Sequence, residues 1–182
     1  MKVQKPKEEF IMKKTLMALA ATGLLAFAPA FAPTDLAPQI SCTAEAAAAP
    51  DQALINLRDG SSTSIAELSQ SKPLFMNFWA SWCPPCVGEM PSINEVYQIY
   101  GDRVNFAAVS VDYPTDDAYA YLRGQGASFS IPFYTGDVNA ISSAYKLDAI
   151  PQSYIISGGQ IVAHHVGGMT TGELKAFIES AL

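Results

Sequence analysis

The chain has 182 residues, enough for one ordinary domain and a tail, and 49% hydrophobic against 15% charged residues excludes a disordered, collagen-like or coiled-coil protein. With 11 basic and 17 acidic residues the net charge is −6, which leaves no electropositive footprint for nucleic acid or anionic lipid. The charge is unevenly spread: residues 1–50 hold 5 basic and 4 acidic side chains, residues 51–182 hold 6 and 13.

The first elements in chain order belong to targeting. Lys13-Lys14 followed by the apolar run Thr15–Ala28 has the form of a secretory signal, with Met12 as an alternative start. Small-residue cleavage sites stand at Ala28-Pro29-Ala30, at Ala30-Phe31-Ala32 and in the alanine run 44–49. The competing reading is an uncleaved membrane anchor over residues 15–34, whose 20 uncharged residues are long enough to span a bilayer. Either outcome places the remainder outside the cytoplasm. Residues 1–49 are therefore read as signal or anchor plus linker, residues 50–182 as the folded domain, and Cys42 as a cysteine of the discarded or loose segment.

Within the domain, Ala53–Leu57 and Ser61–Ile65 flank Arg58-Asp59-Gly60 as strand, tight turn and strand. Pro73–Phe78 and Val104–Val111 are apolar runs suited to buried strands, and between them Met90, Ile93, Val96, Tyr97 and Tyr100 recur at helical spacing along Cys86–Tyr100. Strand, helix and strand in this order make a parallel βαβ unit. A helix over Asp116–Arg123, a short strand at Phe133-Tyr134 and a helix over Asn139–Tyr145 follow. Ser153–Ser157 and Ile161–Val166, joined by Gly158-Gly159, form a hairpin, and Thr170-Thr171-Gly172-Glu173 opens a last amphipathic helix with a capping box. The expectation is one α/β domain with a mixed sheet.

The chemistry centres on Trp82-Cys83-Pro84-Pro85-Cys86, where a strand gives way to a helix. Two cysteines at this spacing can close a disulfide across one helical turn. At the N-cap, Cys83 faces the positive end of the helix dipole and free backbone N–H groups, which lowers its pKa and makes it the attacking sulfur. Cys86, a turn further in, resolves the mixed disulfide. A zinc site lacks a second cysteine pair, and adjacent His164 and His165 on a strand point to opposite faces. A structural disulfide closing so short a loop constrains little chain entropy.

The run Asn77-Phe78-Trp79-Ala80-Ser81-Trp82-Cys83-Pro84-Pro85-Cys86-Val87-Gly88-Glu89-Met90-Pro91 resembles the active-site segment of the TlpA/ResA-like thioredoxin family. Ile150-Pro151-Gln152-Ser153-Tyr154-Ile155-Ile156 is similar to that family's cis-proline strand, and Gly167-Gly168 before the last helix extends the resemblance over about residues 50–182. It implies an α/β thioredoxin fold with an N-terminal β-hairpin and a central αβ insertion, a mixed sheet flanked by helices. It implies Cys83 as nucleophile, Cys86 as resolving thiol, Pro151 as a cis-proline facing the disulfide, and Glu89 of a CxxCxxE pattern as proton acceptor for Cys86. Trp82 and Ile150 are the expected partner contacts. Val87-Gly88 departs from the basic residues common there, and Asn77 stands where other thioredoxins carry a buried aspartate. Pro91 implies a kink or a break in the helix.

The function this implies is an extracytoplasmic thiol:disulfide oxidoreductase that reduces exported proteins, such as apocytochromes c or methionine-sulfoxide repair enzymes. A membrane thiol carrier would supply the electrons to a monomer without cofactor or metal. Pro84 and Pro85 remove two N–H donors from the Cys83 sulfur, which argues for a reductase with a potential of about −270 to −200 mV and against a strong oxidant. Two alternatives remain at this stage. One is a copper-binding chaperone, though the cysteine spacing and histidine position differ from such proteins. The other is a peroxiredoxin-like peroxidase, though its Pro-x-x-x-Thr-x-x-Cys run is absent.

Overall fold

The structure is a computed structural model that describes residues 47–182. The expected signal, the anchor over residues 15–34 and Cys42 lie outside the described residues. Among the described residues no helix is long and apolar enough to cross a membrane.

One sheet organises the domain. Its strands are β1 (Ala47–Ala48), β2 (Ala53–Asn56), β3 (Ser62–Ser64), β4 (Leu74–Trp79), β5 (Asn105–Ser110), β6 (Phe133–Thr135), β7 (Gln152–Ser157) and β8 (Gln160–Val166), in the spatial order β1-β8-β7-β4-β5-β6-β2-β3. β4, β5 and β6 run parallel, while β7, β8 and β1 on one side and β2 and β3 on the other pair antiparallel. The helices are α1 (Ile65–Leu68), α2 (Pro84–Tyr100), α3 (Asp116–Arg123), α4 (Val138–Ala144) and α5 (Thr171–Glu179). This is the expected α/β arrangement with its N-terminal hairpin, mixed sheet and extra αβ unit between β5 and β7.

β4 explains why the sheet must be covered on both sides. All six of its residues are buried: Phe75 and Trp79 belong to the core that holds Met90, Ile93 and Val96 of α2 and Leu174 and Ile178 of α5. Leu74, Met76 and Phe78 belong to the opposite core with Leu54, Ile65, Ile141 and Tyr154. Alternation along a strand sends successive side chains to opposite faces, so a strand buried along its whole length requires two cores. The chain therefore leaves β4 at a fixed point, and the cysteine segment begins there.

Three details differ from the sequence expectation, and a fourth decides between two of its readings. The strand expected to reach Ile65 stops at Ser64, whose Oγ accepts from Glu67 N at 3.2 Å while Asp51 Oδ1 accepts from Ala66 N at 2.9 Å. These two caps satisfy the N–H groups of a one-turn helix, α1. A 3-10 turn over Gln125–Ser128 has no apolar periodicity to announce it. α2, starting at Pro84 as the N-cap reading of Cys83 implies, runs through Pro91 without the break that is one of the two readings, because Met90, Ile93 and Val96 anchor both sides of the proline in the core. β1 pairs with β8 in the alanine run read as linker. The capping box of α5 forms as expected, Thr170 Oγ1 accepting from Glu173 N and Glu173 Oε2 accepting from Thr170 N.

Gly136, between β6 and α4, has no room for a side chain: a Cβ there meets Ala53 O at 2.6 Å and Ile141 Cδ1 at 2.9 Å. Gly136→Ala is expected to destabilise the domain by about 2 kcal/mol, measured as a lower urea midpoint with unchanged slope.

Candidate active site

The loop Ala80-Ser81-Trp82 carries the chain from β4 into α2, with Cys83 at the N-cap in extended conformation. Cys83 and Cys86 form a disulfide with S–S 2.07 Å and Cα–Cα 5.3 Å. Pro84 and Pro85 occupy the first two helical positions and have no N–H, so the donor that reaches the Cys83 sulfur is Cys86 N at 3.3 Å. Cys83 keeps 4% exposure and Cys86 none, so an incoming chain meets Cys83 first. That sulfur opens onto a groove of about 530 Å³ lined by Trp82, Pro84, Val111, Leu147, Asp148 and Ile150 among others. Trp82, 64% exposed, forms its rim.

The Ile150–Pro151 bond is cis, and Ile150 O lies 3.8 Å from Cys83 Sγ. The structure thus brings Trp82, Cys83, Cys86, Ile150 and Pro151 together. The loop before α5 joins this group from below: Gly167, at φ 105°, donates its N–H to Pro151 O at 2.9 Å. Two residues on, Met169 N donates to Glu89 Oε1 at 2.8 Å.

Glu89 lies on α2 one turn beyond Cys86 and is 5% exposed. Among the described residues its second oxygen has no hydrogen-bond partner. Burial pushes its pKa from 4.5 up to about 7, against the opposing pull of the Met169 N–H and, more weakly, of the Asn77 amide. That amide does not complete a hydrogen bond to Glu89; its Nδ2 donates to Ser153 Oγ at 3.0 Å.

Three features escaped the sequence reading. Asp112, fully buried just beyond β5, accepts from Ser81 N at 2.9 and 3.1 Å, from Ser81 Oγ at 2.7 Å and from Ser110 Oγ at 2.7 Å. It pins the loop two residues ahead of Cys83; an acid closing the apolar run Val104–Val111 was the available signal. The Tyr113–Pro114 bond is also cis. Gln152 is a buried hub of hydrogen bonds behind the groove wall. His164 and His165 stand on β8, as expected of strand residues, and neither lines the groove.

The chain is similar in sequence and in fold to known proteins. A family model described as Redoxin matches residues 25–180. The chain is 35% identical over 123 residues to the thiol-disulfide oxidoreductase ResA of Halalkalibacterium halodurans, covering 66% of this chain and 68% of that protein. It is 29% identical over 180 residues to ResA of Geobacillus thermodenitrificans, covering 97% and 98%. Among solved structures, a thiol:disulfide interchange protein of the thioredoxin family from Chlorobium tepidum matches at TM-score 0.63 and 24% identity, covering 75% of this chain and 96% of that one. StoA from Bacillus subtilis matches at TM-score 0.61 and 22% identity, covering 72% and 98%. These two share the thioredoxin fold.

The raised pKa of Glu89 has a stability consequence with a definite sign. The unfolded chain releases this proton near pH 4.5 and the folded protein near pH 7. Between these values the folded state binds more protons, so stability falls as pH rises through the window, by about 3 kcal/mol in all. Urea unfolding of the oxidised protein from pH 4 to 8, taken as the difference between wild type and Glu89→Gln, is expected to show this loss, because glutamine does not titrate.

Proposed function

The chain belongs to the Redoxin family and is a thiol:disulfide oxidoreductase, and we propose that it works outside the cytoplasm as a reductase of exported proteins through Cys83 and Cys86. The observation that carries this reading is the Cys83–Cys86 disulfide at a helix N-terminus, with Cys83 opening onto a groove and Cys86 sealed beneath it.

In the reduced protein the Cys83 thiolate attacks one sulfur of a substrate disulfide, forming a mixed disulfide and releasing the first substrate thiolate. Glu89 takes the proton of Cys86, whose thiolate then attacks Cys83 Sγ, closes the protein disulfide and releases the second substrate thiolate. The substrate gains two electrons and the protein loses two. A pKa near 7 leaves Glu89 able both to accept and to return a proton at neutral pH. Trp82 and Ile150 contact the partner chain, and Pro151 holds the segment that faces Cys83. A membrane dithiol carrier restores the reduced form by the reverse exchange. The signal-like segment before the domain supports export, and the substrates envisaged are apocytochromes c or methionine-sulfoxide repair partners.

The thiolate of Cys83 is stabilised by one backbone N–H and the helix dipole, a modest set. Equilibration with glutathione buffers is expected to give a midpoint of about −270 to −200 mV, and a value near −120 mV would overturn the assignment as a reductase. Cys86→Ser is expected to accumulate mixed disulfides on Cys83 that mass spectrometry identifies. Glu89→Gln is expected to slow the resolving step about 100-fold while leaving the first attack nearly unchanged, read by stopped-flow insulin reduction.

A further inference from the structure

Gln152 follows Pro151, begins β7 and is 2% exposed. Its amide has two N–H donors and two acceptor positions, and each end of it lies within hydrogen-bond distance of two partners. Nε2 donates to Ala149 O at 2.8 Å and to Asp148 Oδ1 at 3.3 Å. Oε1 accepts from the Tyr154 hydroxyl at 2.8 Å and lies 3.1 Å from His164 Nε2. The two latter partners are fixed in turn, their rings stacked at 4.3 Å and 16°.

The other side of this hub is the groove. Asp148, Ala149 and Ile150 line it, belong to no helix or strand, and end at the carbonyl 3.8 Å from Cys83 Sγ. Among the described residues, no other hydrogen bond reaches Ala149 O or the Asp148 carboxyl group. The hydrogen bonds that tie this bend, which has no ladder bonds, to the β7–β8 pair thus come from one side chain, beside the packing of Ile150 on both cores. We infer that Gln152 is a positioning residue for the exchange reaction, holding the 148–150 wall in the shape that receives the substrate chain against Cys83. The inference rests on the proposed function for the identity of that occupant. A preformed wall spares the incoming chain the ordering cost that a loose one would impose, so the effect falls on binding. Gln152 has no hydrogen bond to either cysteine, so the sulfur chemistry is expected to run without it.

Gln152→Ala and Gln152→Glu test this. The second keeps the volume and the acceptors for Tyr154 and His164 but sets an acceptor against Asp148 and Ala149 O, and it serves if the alanine variant fails to fold. In both, the KM for insulin is expected to rise about fivefold to tenfold, the loss of one or two buried hydrogen bonds, with kcat within about twofold. The glutathione midpoint and the rate at which iodoacetamide alkylates Cys83 are expected to stay as in wild type. An unchanged KM in a folded variant overturns the inference, as does a midpoint or alkylation rate that shifts in step with KM. If the wild-type protein fails to reduce insulin, the proposed function falls separately. Hydrogen exchange at the 148–150 amides then decides, with exchange about tenfold faster in the variants expected and unchanged exchange overturning the inference.

Discussion

One hydrogen bond, from the Cys86 N–H to the Cys83 sulfur, is the interaction around which the rest is arranged. It exists because Cys83 caps a helix, and Cys83 caps that helix because β4, buried on both faces, delivers the chain to a fixed place at the sheet's end. The two prolines that follow supply the φ values a first helical turn needs and withdraw the donors that other residues would add. A sulfur anion held by one donor is stabilised less than one held by three. On the proposed function, local backbone chemistry sets the balance between dithiol and disulfide, and the groove decides which chains reach it.

Two buried carboxyl groups flank this centre, and the protein treats them in opposite ways. Asp112 is surrounded by hydroxyl and N–H donors and serves to fix Ser81. Glu89 receives one N–H and keeps one oxygen bare. A buried oxygen without a partner is costly, and a group so placed favours its neutral form. The loop from Gly167 to Met169 touches both the proline segment and this glutamate, so a single stretch of backbone sets the floor of the site.

Much of this was legible in the sequence because it is written in local signals. Apolar runs marked β4 and β5, Gly158-Gly159 marked the β7–β8 hairpin, Thr170 and Glu173 marked the start of α5, and the Cys83–Cys86 spacing marked the chemistry. What was not legible depends on residues far apart in the chain. The Asp51 cap that ends β3 early acts across 15 positions, the Asp112 clamp across 31, and the Met169 contact to Glu89 across 80. Nothing near Gln152 announces its role, since its partners come from β8, β7 and a bend that no periodicity describes. Pro91 left two readings open, a kink or a break, and packing on both sides of it keeps the helix whole despite the lost backbone hydrogen bond.

Among the described residues both borders of the sheet are short, β1 with two residues and β3 with three. A long bare strand edge is a template on which unfolded chains add and from which fibrils grow. On the proposed function, the protein would meet incompletely folded polypeptides by way of their cysteines, and each encounter would carry that hazard. Margins of a few residues would offer such visitors little seam along which to aggregate and leave the groove beside Cys83 as their place of contact.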